Sequence, residues 1–336
     1  MIIHDFLNKR YSLRELSDEE FNRLAPILAQ ELSSGVDYVT SYTDAELLAD
    51  RRKLVEWKPK GTFASTNRIG MKLCEHFFPN FYDIETPAGK SFASQWRDPV
   101  IMEKVLHWNR KSHSTPYLSE LKRGVYFCGG LPKSTMYRPQ MSKMVVSAYC
   151  KTGQFVLDPC AGWGGRLLGT IANQCHYIGF EPNSATFNNL QRMVDFLGIQ
   201  KFVTLINDDA LNMGKYDFPS CNVVLTSPPY FNLEVYSKEK TQSVTGRNSY
   251  EEWEKGFLKP LIVNCSDRLL KGSSGASCWN VAKVGKYDMW KSVEYTHNEI
   301  GYIEDRSFGV VSSPRQVHQK ANKYSTDSTI SYIKKK

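Results

Sequence analysis

The sequence has no run of about 18 apolar residues, the length that a helix needs to cross a bilayer. Its beginning, MIIHDFLNKRYSLREL, lacks the apolar stretch and the small-residue cleavage site of a secretory signal. These two absences argue against a membrane-spanning or secreted protein. We therefore expect a cytoplasmic location.

Metal-binding patterns are missing as well. The eight cysteines form no CxxC pair, and neither they nor the seven histidines have the spacing of a zinc site. We therefore expect free thiols and no bound metal. Of the 336 residues, 41% are hydrophobic and 23% charged, without repeats or low-complexity blocks. This composition excludes disordered, collagen-like and coiled-coil proteins.

The charge that is present is basic and unevenly distributed. The net charge is +8, and residues 104–143 carry eight basic residues against the single acid Glu120. Residues 306–336 carry seven basic residues against Asp327. Such segments suit a polyanion, because each phosphate contact releases condensed counterions, although solvated faces without a partner have the same composition. As a hypothesis, residues 104–143 form one wall of a DNA cleft.

The first 130 residues are predicted to be an α-rich region that contacts DNA. Capping-box patterns begin at Ser17 and at Thr43, and Asp98 followed by Pro99 marks a third helix start. No catalytic signature is present there. After Pro314 the chain is polar, so residues 316–336 are predicted to be a frayed basic tail.

Residues 131–315 have the alternating pattern of an α/β domain. Apolar, β-branched runs are separated by helical patterns, which predicts βαβ units and a mostly parallel, doubly wound sheet. An antiparallel edge is expected at 301–311. The predicted strands are 154–158, 176–181, 203–208, 222–227 and 276–284.

A glycine-rich turn follows the first predicted strand. In VLDPCAGWGGRLLG the strand ends at Asp158, and Gly162, Gly164 and Gly165 precede a helix. Glycine allows the backbone to approach a nucleotide-type ligand closely. A carboxylate beside the turn disfavours a pyrophosphate and favours a cationic or amino group. S-adenosylmethionine (SAM) carries both a sulfonium and an α-amino group.

Two further acids follow the next strands. Glu181 ends the second strand, 23 residues after Asp158, where an acid can accept hydrogen bonds from both ribose hydroxyls. Asp209 follows the third strand and is placed to meet the adenine amino group, with Asp208 as the competing choice. Three acids on successive strand ends predict a cofactor site.

The fourth strand leads into Thr226-Ser227-Pro228-Pro229-Tyr230. Two successive prolines stiffen the turn, which can present the Ser227 hydroxyl and the Pro228 carbonyl as paired acceptors beside an aromatic face. Two acceptors that bind the protons of an exocyclic amine can aim its lone pair at a methyl sulfonium. The tyrosine can stack on a base that has left the helical stack.

With these motifs the sequence resembles the SAM-dependent amino-methyltransferases of DNA, of the N4-cytosine/N6-adenine type. The resemblance covers roughly residues 131–311, and 136–149 looks like the helix at the methionine end of the cofactor. It implies a Rossmann-like class I fold with a seven-stranded, mostly parallel sheet, and double-stranded DNA with a flipped base. It assigns catalytic roles to Ser227, Pro228, Pro229 and Tyr230, and cofactor contacts to Pro139, Asp158, Pro159, Ala161, Gly162, Gly164, Gly165, Glu181, Pro182 and Asp209.

The resemblance leaves the substrate open. A motif that begins with serine, here Ser227, favours N4 of cytosine, and N6 of adenine is the alternative. No target-recognition domain follows the catalytic domain, so sequence reading would come from the first 130 residues, from 231–256 or from nowhere. Also left open are an RNA or free-nucleotide methyltransferase, which would use the same motifs, and a non-catalytic nucleic-acid-binding protein on this scaffold. A role in restriction–modification, antirestriction or regulation stays equally open.

Cys160 suggests a rival chemistry, attack by a thiolate on C5 of cytosine. It lies in the cofactor loop, however, and the catalytic turn contains no cysteine. We therefore interpret Cys160 as a small loop residue. Trp163, in the same loop, could pack beside the cofactor or brace the helix.

Overall fold

The computed structural model describes residues 13–59, 63–64, 67–112, 117–131, 134–270, 275–284, 286–311 and 328–335. The chain divides into two compact units. The first unit comprises residues 1–41, 79–135 and 233–237, and the second comprises 42–78, 136–232 and 238–336. All eight cysteines are free, as the sequence predicts.

The described helices begin and end as follows. They are α1 Asp18–Gly35, α2 Asp44–Glu56, α3 Met71–Phe77, α4 Phe92–Trp96, α5 Pro99–Lys111, α6 Leu118–Cys128, α7 Pro139–Tyr149, α8 Gly165–Ile171, α9 Ser184–Leu197, α10 Tyr250–Trp253, α11 Lys259–Asp267 and α12 Met289–Glu299. Short 3₁₀ segments cover Pro79–Asp83, Gln200–Phe202 and Ala210–Lys215, and a π-helical turn, Glu254–Leu258, joins α10 to α11.

The three predicted helix starts are confirmed. Ser17 and Thr43 each form a complete capping box, and Asp98 caps α5 with Pro99 as its first residue. In the first unit, α1, α4, α5 and α6 enclose a core that includes Phe21, Trp96 and Leu106. Among the described residues, no helix is both long and apolar enough to cross a membrane.

The second unit is built on a seven-stranded sheet. In spatial order its strands are β4 (Val203–Ile206), β3 (His176–Phe180), β2 (Phe155–Asp158), β5 (Val223–Thr226), β6 (Ala276–Trp279), β11 (Thr329–Lys334) and β9 (Tyr302–Phe308), and β11 is antiparallel to both of its neighbours. This is the mostly parallel sheet of the Rossmann-like class I methyltransferase fold, as predicted. The short pairs outside this sheet are β1 Phe63–Ala64 with β10 Val310–Val311 and β7 Lys283–Val284 with β8 Tyr287–Asp288.

Both faces of the sheet are buried at its central strands, where successive side chains of one strand point to opposite faces. Leu157 and Val224 belong to a cluster with Trp253 and Leu261, whereas Val156 packs on the other face in a cluster that α7 supplies. Helices on both faces leave only the strand ends open, and ligands bind outside the carboxyl ends of the strands in such sheets.

Residues 42–78 differ from the prediction, which placed them in the N-terminal region. They belong to the second unit, because Leu54 and Phe78 share a buried cluster with Leu167 and Met193 of that unit. An amphipathic helix joins the unit that covers its apolar face, and the sequence does not say which unit that is.

The frayed tail predicted for 316–336 is wrong for its last part. Thr329–Lys334 forms β11 between β6 and the edge strand β9. Ile330 and Tyr332 are buried, and the Tyr332 ring stacks on His297 at 4.1 Å between centroids. Burial of Ile330 and Tyr332 stabilises the strand more than the lysines that follow it destabilise it. Residues 312–327 lie outside the described part of the chain, and the antiparallel edge expected at 301–311 is present as β9.

Candidate active site

The glycine turn after β2 is closed by protein on one side and open on the other. A Cβ on Gly165 would lie 1.9 Å from the carbonyl oxygen of Tyr137, so only glycine lets the turn approach that segment. Gly162 has a φ of +54°, and no atom comes within 3.7 Å of its Cβ position. Gly162 is therefore where the backbone can meet a ligand. Pro139 begins α7 and is buried, with its Cδ 3.8 Å from the same Gly165 position.

Asp158 is fully buried at the end of β2 and already has partners. Its Oδ2 accepts hydrogen bonds from Arg166 Nε and from the Tyr177 hydroxyl, each at 2.7 Å. Its Oδ1 accepts from the Cys160 amide at 3.2 Å. Burial opposes the charge of Arg166, but Asp158 beside it raises the pKa of the guanidinium above its usual range.

This arrangement changes the interpretation of Asp158. The sequence assigns its charge to a cationic cofactor, yet a buried arginine with 5% exposure neutralises that charge within the protein. Arg166 also donates to the carbonyls of Cys160 and Ala161, so it ties the loop to the strand end. Asp158 and Arg166 thus hold the shape of the turn, and Pro159 and Ala161 are buried within it.

Glu181 is held at the end of β3 in a way that suits a diol. Its Oε2 accepts from the Gly162 amide at 2.8 Å, and its Oε1 accepts from the Asn183 amide at 3.0 Å. Each carboxylate oxygen therefore keeps acceptor capacity for one further donor. Burial raises the pKa of Glu181 to about 7, against the effect of these two amides. Pro182 follows, and its carbonyl accepts from the Thr241 hydroxyl at 3.4 Å.

The structure separates the two candidate acids after β4. Asp208 accepts from Asn212 and from the Tyr216 hydroxyl, both at 2.9 Å. Burial alone would raise the pKa of Asp208, but these donors hold it below the usual value. Asp209 caps the next 3₁₀ segment through Oδ1, while its Oδ2 has no hydrogen-bond partner in the part of the chain that the structure describes. Asp209 is thus the acid that remains available to a ligand.

The turn after β5, to which the resemblance assigns catalysis, is fixed at its far end by Phe231. That residue has a φ of +49°, which is costly for a side chain larger than glycine. Its ring is buried against Tyr250 at 5.8 Å and Tyr287 at 5.5 Å, which holds the strained backbone in place. Pro228 is buried, whereas Ser227, Pro229 and Tyr230 are half-buried.

Sequence reasoning missed Asn280, which lies beside this turn. It follows β6, and its backbone N–H donates to the backbone carbonyl of Thr226 at 2.8 Å. The Ser227 hydroxyl lies 3.4 Å from Asn280 Oδ1 and can donate to it. The sequence carries no clear signal for it, because the strand predicted at 276–284 contains Asn280, whereas β6 ends one residue before it at Trp279.

The two loop residues left aside by the sequence are now placed. Burial raises the pKa of the Cys160 thiol well above its usual range, so the thiol stays protonated at neutral pH. The Trp163 ring lies edge-on to Phe78, with 6.0 Å between centroids, and packs with the cluster under the loop. This contact supports the bracing role, one of the two that the sequence left open.

These residues fit SAM in three respects. Gly162 offers an open backbone position, Glu181 offers one acceptor site on each oxygen, and Asp209 offers a carboxylate oxygen without a partner among the described residues. All three follow neighbouring parallel strands, so they lie at one edge of the sheet. Gly162 would contact the part of SAM that faces the loop, Glu181 would bind the ribose hydroxyls, and Asp209 would bind the adenine amine.

Several basic residues of 104–143 have partners within the protein. Arg110 donates to the carbonyls of Leu13 and Leu16 and pairs with Asp18 at 2.8 Å. Further examples are Arg123, which pairs with Glu120, Lys122, which donates to Tyr82, and Lys143, which donates to the carbonyls of Leu54, Val55 and Trp57 at the end of α2. Lys104 and Lys111 are exposed on α5.

The positive charge is concentrated in the second unit. By sequence, the first unit carries 12 basic and 13 acidic residues, and the second carries 31 basic and 22 acidic residues. A polyanion would therefore be attracted mainly to the unit that holds the candidate site.

No protein-family model and no curated protein matches the chain. Three solved structures to which it is similar are methyltransferases. An rRNA methylase from Streptococcus thermophilus is 14% identical over 60% of this chain and 100% of that one, with a TM-score of 0.39. A SAM-dependent O-methyltransferase from Thermotoga maritima is 13% identical over 60% and 67%, with a TM-score of 0.42. A SAM-dependent methyltransferase from Thiobacillus denitrificans, in complex with S-adenosyl-L-homocysteine, is 13% identical over 51% and 68%, with a TM-score of 0.36.

Proposed function

We propose that this protein is a SAM-dependent methyltransferase that acts on the exocyclic amine of a DNA base. The carrying observation is the juxtaposition of two features at one sheet edge. The Gly162–Glu181 pair follows β2 and β3, and the turn beginning at Ser227 follows β5, the other neighbour of β2. A nucleoside cofactor bound by this pair and an amine bound by the turn would thereby lie at one end of the sheet.

The chain's own residues would act by positioning. The Ser227 hydroxyl and the Pro228 carbonyl accept the two protons of the amine, and Tyr230 stacks on the base. This arrangement draws the lone pair out of the ring, so catalysis comes from orientation and electrostatics. When bound, SAM supplies a methyl group on a sulfonium; the nitrogen–carbon bond forms as the sulfur–carbon bond breaks, and the amine loses one proton to solvent.

For the base we propose N4 of cytosine, in double-stranded DNA with the target base flipped out. The serine at the start of the turn favours cytosine by the family resemblance. A base in the helical stack cannot reach a turn at a sheet edge, which is why flipping belongs to the proposal. The net positive charge of the second unit supports a nucleic-acid substrate.

The test is mass spectrometry of nucleosides from unmethylated DNA treated with the protein and SAM. The variants Ser227→Ala and Tyr230→Ala remove the proposed acceptor and the stacking face. Ser266→Ala is the matched control, because that hydroxyl donates to the Ile262 carbonyl within α11 and hydrogen-bonds Tyr302, neither of which belongs to the proposed site. We expect N4-methyldeoxycytidine with the wild type and with Ser266→Ala, and loss of the product with the other two.

Other products would change the proposal in defined ways. N6-methyldeoxyadenosine would keep the site and overturn the choice of cytosine. Methylated RNA nucleosides in a parallel reaction, with none from DNA, would move the substrate to RNA. A protein that binds nucleic acid but not SAM would be a non-catalytic binding protein on this fold.

A further inference from the structure

Asn280 connects the start of the catalytic turn to the start of β11. Its backbone N–H donates to the carbonyl of Thr226 at 2.8 Å, directly after the Thr226–Trp279 pair that ends the pairing of β5 with β6. Its side chain is 8% exposed and reaches from this strand end toward Ser227 on one side and toward β11 on the other. The side chain is thus locked by its surroundings.

The orientation of the amide follows from its partners. Asn280 Nδ2 donates to the Ser328 carbonyl at 2.7 Å and lies 3.4 Å from Thr329 Oγ1. A carbonyl oxygen can only accept, so the nitrogen must face Ser328 and the oxygen must face Ser227. The hydroxyl of Ser227 then has to donate its proton to Asn280 Oδ1.

We infer that Asn280 is a positioning residue that fixes the Ser227 hydroxyl as an acceptor toward the target amine; this inference rests on the proposed function. A serine hydroxyl has one proton and two acceptor lone pairs. With the proton held by Asn280, only lone pairs remain for the substrate. A freely rotating hydroxyl could instead donate to the amine nitrogen and occupy the lone pair that must attack the methyl group. The 3.4 Å separation is long, and catalytic hydrogen bonds of this kind shorten when substrate binds.

β11 stabilises this orientation from behind. Thr329 is fully buried, and its hydroxyl lies 2.8 Å from the Tyr137 hydroxyl. Burial raises the pKa of Tyr137 well above its usual range, so that hydroxyl stays neutral and hydrogen-bonding. The hydrogen bonds that orient Ser227 therefore run from Asn280 through Thr329 of β11 to Tyr137, which lies just before α7.

The test compares single-turnover methylation at saturating SAM and DNA with SAM affinity from calorimetry. Asn280→Leu removes the three side-chain hydrogen bonds, to Ser227, Ser328 and Thr329, at nearly constant shape. We expect it to react about 10- to 100-fold more slowly, with a SAM dissociation constant within about twofold of wild type. The matched control is Asn222→Leu, a buried asparagine at the opposite end of β5 whose oxygen accepts from the Phe155 amide at 3.3 Å; its rate should stay near wild type.

Asn280→Asp gives a second readout. Only the protonated acid can both donate to Ser328 and accept from Ser227, so its rate relative to wild type should rise as the pH falls. This variant decides alone if Asn280→Leu does not fold. Equal losses in the two leucine variants, or no recovery of Asn280→Asp at low pH, would overturn the inference. A wild type that methylates neither DNA nor RNA would overturn the proposed function and the inference with it.

Discussion

The substitution Asp158→Asn separates a structural role of this residue from a cofactor contact. The carboxylate balances the charge of buried Arg166 and also accepts from Tyr177. Asparagine leaves the guanidinium buried without a counter-charge, and breaking a buried pair in this way costs about 3–5 kcal/mol. For a unit of this size, the melting temperature falls by about 2–4 °C per kcal/mol, so we expect a decrease of roughly 6–20 °C.

The assay is thermal unfolding with and without SAM, so that the transition of the second unit is identified as the one that SAM shifts. Asp209→Asn is the matched control. Asparagine at position 209 can keep the single hydrogen bond from the Leu211 amide. The free energy of unfolding should therefore change by less than about 1 kcal/mol, while the affinity for SAM falls. Adding Arg166→Met to Asp158→Asn should recover part of the lost stability, because it removes the unpaired charge.

One result would refute this reasoning. If Asp158→Asn melts like the wild type and still loses SAM binding, the carboxylate contacts the cofactor directly. The buried pair with Arg166 would then not be what holds the loop.

Three further predictions concern the cofactor, the thiol and the nucleic acid. Burial raises the pKa of Glu181 to about 7, so protonation below that pH removes a hydrogen-bond acceptor. The dissociation constant for SAM should therefore rise about tenfold for each pH unit below 7, and Glu181→Gln should abolish this pH dependence. Cys160→Ser should keep most methylation activity, because the thiol stays protonated, and no covalent DNA adduct should form. Neutralising Lys104 and Lys111 together should reduce the slope of log affinity against log salt by about 2, if the first unit contacts phosphates.

Each of these has an outcome that contradicts it. If the affinity for SAM does not change between pH 5.5 and pH 7.5, Glu181 is ionised throughout this range. An adduct that disappears in Cys160→Ser would restore the thiolate chemistry. An unchanged salt slope in the double lysine variant would remove the first unit from the DNA contact, and Arg110→Gln, whose arginine already pairs with Asp18, serves as its control.

The sheet was predictable where local pattern and burial agree. A strand is present at each of the five apolar runs, but the run predicted at 276–284 ends as a sheet strand at Trp279, and Lys283–Val284 pairs with β8 outside the sheet. The central strands β2, β3 and β5 were the most visible, because burial on both faces gives them nearly continuous apolar residues. β11 escaped prediction because its buried Ile330 and Tyr332 stand next to a run of lysines. Composition dominated the interpretation there, whereas pairing with β6 and β9 decides the structure.

The site was predictable by type but not by role. Acids at strand ends are visible in the sequence, yet their availability depends on groups elsewhere. Arg166 donates a hydrogen bond to Asp158, and Tyr216 donates one to Asp208. One carboxylate oxygen of Asp209, in contrast, has no partner among the described residues. Asn280 became visible only when β6 was placed beside β5. Which polar group a strand end leaves open is set by tertiary neighbours.

The position of β11 has a consequence for how the sheet is completed during folding. Among the described strands β9 pairs with β11 alone, and β11 follows it in the chain, so the edge strand cannot join the sheet before β11 does. Until then β6 presents an unpaired row of backbone groups, which is a template for aggregation. Because Ser328 and Thr329 also hold Asn280, insertion of this strand completes the hydrogen bonding behind Ser227. A folding intermediate that has the five parallel strands alone would accordingly form the cofactor edge while still lacking an oriented hydroxyl.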